Sequence, residues 1–152
     1  MEKFVARARH IEVQVLGDGE GHIDILGVRD CSLQRRRQKV IEECPAPDLP
    51  DSIFERVTEA AQRLCSAVRY RSAGTVEFLY DLDSESPYFL EVNTRLQVEH
   101  PVTEEVFGVD LVRAQIDLAR ERPLDLSESQ PRGWAMEARV CAEDAQNNFT
   151  PA

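Results

Sequence analysis

Nowhere in its 152 residues does the chain carry a run of about 18 apolar residues, so nothing in it reads as a membrane-spanning helix. Its start, MEKFVARARH, lacks the apolar core of a secretory signal, and a cytoplasmic protein is the expectation. Cysteine is sparse: Cys31, Cys44, Cys65 and Cys141 form no CxxC pair and have no zinc-like Cys/His spacing. Reduced, mostly buried thiols follow, and with no base at readable spacing none is a nucleophile. Positive charge is in deficit, with 18 Lys and Arg against 28 Asp and Glu and a net charge of −10. That balance argues against a general nucleic-acid or anionic-membrane partner, since both demand spread positive charge. There is no internal repeat, no low-complexity linker and no glycine-rich phosphate loop.

What is present is an ordinary globular composition, 42% hydrophobic and 30% charged, in one domain or part of a larger one. His10, Glu12 and Gln14 alternate with Ile11, Val13 and Val15 before the turn GDGEG and the stretch HIDILGV, predicting a hairpin over 9–33. The prolines of CPAPDLP, residues 44–50, mark a connector. A helix follows, with Ser52 and Glu55 as a capping box and a buried face of Ile53, Val57, Ala60, Ala61, Leu64 and Val68. A second hairpin spans TVEFLYDLDSESPYFLEVN, a second helix starts with Asp110 as N-cap and stops before Pro123, and WAMEARVC, residues 134–141, reads as a strand. The order predicts an α+β fold: an antiparallel sheet with flanking helices, all on one side.

If the second hairpin folds symmetrically about Ser84, Val76 faces Val92, Phe78 faces Leu90 and Tyr80 faces Tyr88. The same register sets Glu77 directly across from Glu91. Like charges so placed destabilise a sheet unless one acid keeps its proton or a divalent cation lies between them. Hard oxygen ligands suit Mg²⁺ or Mn²⁺, and Asn93 adds a carboxamide on the same face. The alternative is a solvated strand face whose charges happen to alternate. In EVNTRLQVEHPVTE, residues 91–104, the alternation continues through Arg95, Gln97 and Glu99, which an extended chain would spread over roughly 20 Å. Arg95 offers a planar fork to a carboxylate-like anion, Glu99 suits a general base, and His100-Pro101 ends the strand. His22 reads as a surface residue, His100 as a loop anchor and Trp134 as core or interface packing.

EVNTRLQVEHPVTE, with GTVEFLY and RDCSLQRRRQKVIEECPAP upstream, is similar to the biotin carboxylase family of ATP-grasp enzymes. That resemblance implies ATP- and bicarbonate-dependent carboxylation of biotin through carboxyphosphate, the biotin being carried on a partner protein or domain. It assigns Glu77, Glu91 and Asn93 to the metal ions on the ATP phosphates. Arg95 would grip bicarbonate beside Gln97 and the backbone of Val98, Glu99 would deprotonate it, and Arg139 would steady the biotin enolate. Lys39 would lie near the transferred phosphoryl group. Glu2, Lys3 and Val5 of EKFV, with His10 and Gln34, would contact the nucleotide. Arg37 belongs to the same ribose-proximal segment, where relatives commonly show His or Asn, and Val28 replaces a frequent acid. The basic cluster 34–39 then becomes one wall of an anion pocket, with Arg35 or Arg36 left as solvated charge.

The resemblance also implies one partial domain over 1–152, the later half of the ATP-grasp region, without the N-terminal α/β domain and the glycine-rich lid. The ending NNFTPA falls where relatives continue. Expected partners are a biotin carboxyl carrier domain, a carboxyltransferase and a second copy in a homodimer. Two alternatives stand beside this: a carbamoyl-phosphate synthase type of ligase using ammonia, and a non-catalytic dimerisation fragment. The final acyl acceptor is left open.

Overall fold

The computed structural model describes residues 4–124, 126 and 129–151. Its elements are β1 (Ala8–Asp18), β2 (Ile23–Arg35), β3 (Gln38–Cys44), α1 (Asp51–Ala67), β4 (Arg71–Asp81), β5 (Ser86–Asn93), α2 (His100–Phe107), α3 (Leu111–Ala119), β6 (Ala135–Ala138), β7 (Glu143–Asp144) and β8 (Thr150–Pro151). β1 to β6 form one sheet in the order β5-β4-β1-β2-β3-β6, every pairing antiparallel. Among the described residues no helix is long and apolar enough to cross a membrane.

The alternation along β1 sorts the two faces. Ile11, Val13 and Val15 pack with Val76, Phe78 and the α1 stripe Ile53, Val57, Ala61 and Cys65. Val28 belongs to this apolar cluster, which suits the loss of an acid there. On the opposite face, Leu16, Leu26 and Ala73 pack with Val102, Val106, Leu111, Ala114 and Leu118 of α2 and α3. Helices therefore flank both faces, not one. Every second residue of β1 looks away from α1, and Leu16 at the far end needs an apolar cover of its own.

Three expectations are corrected. α1 opens at Asp51 with Pro50 as N-cap, and Ser52 lies inside the first turn without a capping bond. The Pro50 carbonyl accepts from Ile53 and Phe54 at 2.9 and 3.0 Å. Leu64 and Val68 are exposed, because the buried stripe runs through Cys65 instead. Trp134, at 80% exposure, is not core.

The second hairpin keeps half of its expected register. Val76 pairs with Val92 and Glu77 with Glu91, but past a bulge Phe78 pairs with Phe89 and Tyr80 with Pro87. Asp81 pairs with Ser86 around an even-numbered loop, so symmetry about Ser84 fails at the turn, and the extra residue Leu90 restores it at Glu77. A second bulge lies where β2 passes Gln14, with Gly27 at φ +79°. A Cβ on Gly27 would stand 2.6 Å from Phe107 Cε2, so glycine lets the end of α2 close on β2.

Candidate active site

β5 ends at Asn93, and residues 94–99 turn back over the sheet. The extended path to Glu99 is thus corrected: Pro101 stands in the first turn of α2, where its missing N–H costs nothing, and Glu99 is the N-cap residue. This fold-back gathers what an extended chain would have strung out. Every described residue of the expected site except Val5 lines one cavity of about 510 Å³: His10, Gln34, Arg37, Lys39, Glu77, Glu91, Asn93, Arg95, Gln97, Val98, Glu99 and Arg139. Glu2 and Lys3 lie outside the described residues.

Lys39 is the hub. Its Nζ contacts Glu12, Glu77 at 3.1 Å and Glu99 at 2.6 Å. Burial works against its charge, but the surrounding carboxylates outweigh it and push the ammonium pKa up. His10 Nε2 lies 3.2 Å from Glu12 and 3.0 Å from Glu77. There too burial pulls down while Glu12 and Glu77 prevail, raising the imidazole to about 9. Burial would raise Glu12, yet His10, Arg29 and Lys39 hold it well below the carboxylate range.

Beneath this layer is a residue that sequence reasoning missed. Arg29, wholly buried, donates to Glu12 at 3.2 Å, Gln14 at 2.7 Å, Thr103 at 2.9 Å and Thr75 at 3.1 Å. It ties β1 and β4 to α2 and so fixes the platform under Gln97 and Glu99. The only signal for Glu12 and Arg29 was their polar phase in otherwise apolar strands.

Glu77 and Glu91 stand opposite each other, as predicted. Asn93 Nδ2 donates to both, at 2.9 and 3.2 Å, and Gln97 Nε2 to Glu77 at 2.9 Å. The donor set of two carboxylates and an amide fits a hard divalent cation, with Asn93 turned to present its oxygen. His10, Glu12 and Glu77 make a second compact group of possible ligands. Lys39 and Arg139 grip the two oxygens of Glu99, Arg139 at 2.7 Å. Arg95 is exposed and, among the described residues, donates to the carbonyl of its neighbour Leu96 alone.

Arg36 and Arg37 form the β2–β3 turn with φ of 53° and 66°. Arg37 reaches the cavity, whereas Arg35 pairs with Glu143 and stacks over Phe149, and Arg36 donates to Asn148. Arg35 and Arg36, expected as solvated charge, thus find partners in the segment 143–149. A larger hollow, about 960 Å³, lies at the other end of β1 and gathers none of these residues. Asp18 on its rim accepts three backbone amides and closes the β1–β2 turn.

The six-stranded antiparallel sheet with its flanking helices is the architecture of an ATP-grasp protein. Residues 1–127 match the family of the carbamoyl-phosphate synthase L chain, ATP binding domain, and the chain belongs to that family. It is 53% identical to urea amidolyase of Saccharomyces cerevisiae, over 100% of this chain and 8% of that protein. To biotin carboxylase 1 of Bacillus subtilis it is 48% identical, over 100% of this chain and 34% of the relative. A solved structure, the biotin carboxylase domain dimer of Hydrogenobacter thermophilus 2-oxoglutarate carboxylase with MgADP, ADP and bicarbonate, matches with a TM-score of 0.88. That match has 43% identity over 99% of this chain and 33% of the other. The chain spans about a third or less of the length of these relatives.

Proposed function

We propose that the chain supplies the metal, bicarbonate and biotin-facing part of a biotin carboxylase, an ATP-dependent ligase. The observation that carries this reading is the joint arrangement of Glu77 opposite Glu91 and of Glu99 between Lys39 and Arg139 in one cavity. Magnesium or manganese held by Glu77, Glu91 and Asn93 would neutralise charge on the ATP phosphates. Arg95 orients bicarbonate, with Gln97 and the Val98 backbone beside it, and Glu99 takes its proton as an oxygen attacks the γ-phosphorus and ADP leaves. Lys39 offsets the negative charge gathering on the transferred group. Carboxyphosphate then breaks its C–O bond to give CO₂ and phosphate, the phosphate takes the ureido N–H proton of biotin, and Arg139 steadies the resulting enolate as its nitrogen takes up CO₂. His10, Gln34 and Arg37 line the nucleotide side, and Glu2, Lys3 and Val5 are proposed contacts to adenine.

The similarity to a biotin carboxylase and to a domain dimer bound to MgADP and bicarbonate supports ATP, magnesium, bicarbonate and biotin as ligands. Proposed partners are a biotin carboxyl carrier domain, a carboxyltransferase and a second copy; the proposed location is the cytoplasm. The test is phosphate release by the full-length protein with MgATP and bicarbonate, with free biotin added or withheld. Stimulation by biotin supports the reading. Stimulation by ammonia in its place would assign the site to carbamoyl-phosphate synthesis.

A further inference from the structure

A second pair of opposed acids lies behind the cavity. In the β3–β6 ladder Glu42 pairs directly with Glu137. Glu42 is wholly buried, and Oε2 of each residue is buried without a hydrogen-bond partner. Glu77 faces Glu91 with four donors around it; among the described residues this pair has one. Arg139 Nε donates to Glu42 Oε1 at 2.6 Å, and the same guanidinium donates to Glu99 at 2.7 Å.

Two ionised carboxylates with orphaned oxygens at directly paired positions would each forfeit hydration and repel the other. We propose that Glu42 and Glu137 share one proton between their Oε2 atoms, and that this acid pair is a positioning device for Arg139. A carboxyl–carboxylate hydrogen bond satisfies both orphans at once. It also leaves Glu42 Oε1 as the acceptor that fixes the tilt of the guanidinium, with Nε committed to Glu42 and a terminal nitrogen to Glu99. The charged groups facing Glu42 are Arg139, Glu99 and Lys39, and those facing Glu137 are Glu42, Arg139, Glu99 and His100 of α2. Burial is the largest influence on each acid and pushes both upward. The shared proton rests on the ladder pairing and the two orphaned oxygens, whereas its catalytic consequence rests on the role proposed for Arg139.

The experiment uses the full-length protein. Infrared difference spectra of wild type minus E137Q at neutral pH should show the carbonyl stretch of one protonated carboxyl. In E137Q the amide stands in permanently for the acid and donates to Glu42. The folded pair keeps a proton that the unfolded chain releases above about 4.3. Wild-type stability therefore falls with rising pH until the folded pair ionises, and in E137Q that fall is shallower by one proton. Absence of the band, or an unchanged slope, overturns the shared proton. So does stability gained from added K⁺ or Mg²⁺ in wild type but not in E137Q, which would put a cation between these two acids. Titrating the band in wild type alone decides the matter if E137Q does not fold. E42Q should lower biotin-dependent kcat by up to about 100-fold with KM for ATP retained. If the band is present but E42Q leaves biotin-dependent kcat intact, the positioning role falls while the proton stands.

Discussion

Four donors, Lys39, His10, Asn93 and Gln97, converge on the carboxylate of Glu77. Burial would raise its pKa, but His10, Gln97 and Lys39 outweigh this and hold it below the usual carboxylate range. A carboxylate so supplied stays ionised, and replacing it by an amide of equal size removes the charge while keeping the shape. E77Q should raise the magnesium concentration for half-maximal ATP cleavage by about 10–100-fold, read from a Mg²⁺ titration of the full-length protein. His10 makes a prediction of opposite sign to ordinary acid sensitivity. Its pKa is raised from 6.5 to about 9 on folding, so its stabilisation is complete below pH 6.5 and is lost as pH climbs through 9. The shift sets a ceiling of about 3 kcal/mol on the effect. Urea unfolding of the metal-free protein between neutral and alkaline pH checks it, and H10N should lack that alkaline decline.

At the level of elements, hairpins and α3 were legible because their signals are local: alternation in β1, turn residues in GDGEG, and Asp110 accepting from Arg113 N at 2.7 Å as a cap. α2 was not, since HPVTEEVF is short and its proline reads equally as the end of a strand or the first turn of a helix. β3 was hidden inside a run of charges whose buried member, Glu42, gains its meaning only across the ladder from Glu137. The facing of Glu77 and Glu91 was legible; the bulge that preserves it was not, because Leu90 carries no turn chemistry. The platform of Arg29 was illegible for a similar reason: its partners are spread over Glu12, Gln14, Thr75 and Thr103. The bulge at Gly27 offers the sharpest test of an element. G27A places a Cβ against Phe107 at positive φ and should cost more than about 1 kcal/mol. By contrast D110A, which loses only a cap, should cost about 1 kcal/mol. Thermal unfolding of the two variants side by side checks the order.

On the scale of the molecule, the chain's net charge of −10 works against binding a polyanion, but Lys39, Arg37, Arg95, Arg139 and His10 gather positive charge around one cavity. Lys39 and Arg139 are both engaged by Glu99, so phosphate must compete with a buried carboxylate for them. The rim is open as well, because Glu91, Arg95 and Val98 are exposed. Water therefore reaches the place where carboxyphosphate would form. Phosphoryl transfer needs a cover that excludes water and completes the phosphate contacts, and no glycine-rich loop in these 152 residues can supply it. The 152-residue chain assayed by itself should bind MgATP weakly in isothermal titration and show no bicarbonate-dependent ATP cleavage, whereas the full-length protein should show both tight binding and turnover. Robust turnover by the short chain would mean that the cavity closes from within. The closing element would then have to be sought among residues 94–99 and the β2–β3 turn, the two segments that border the opening.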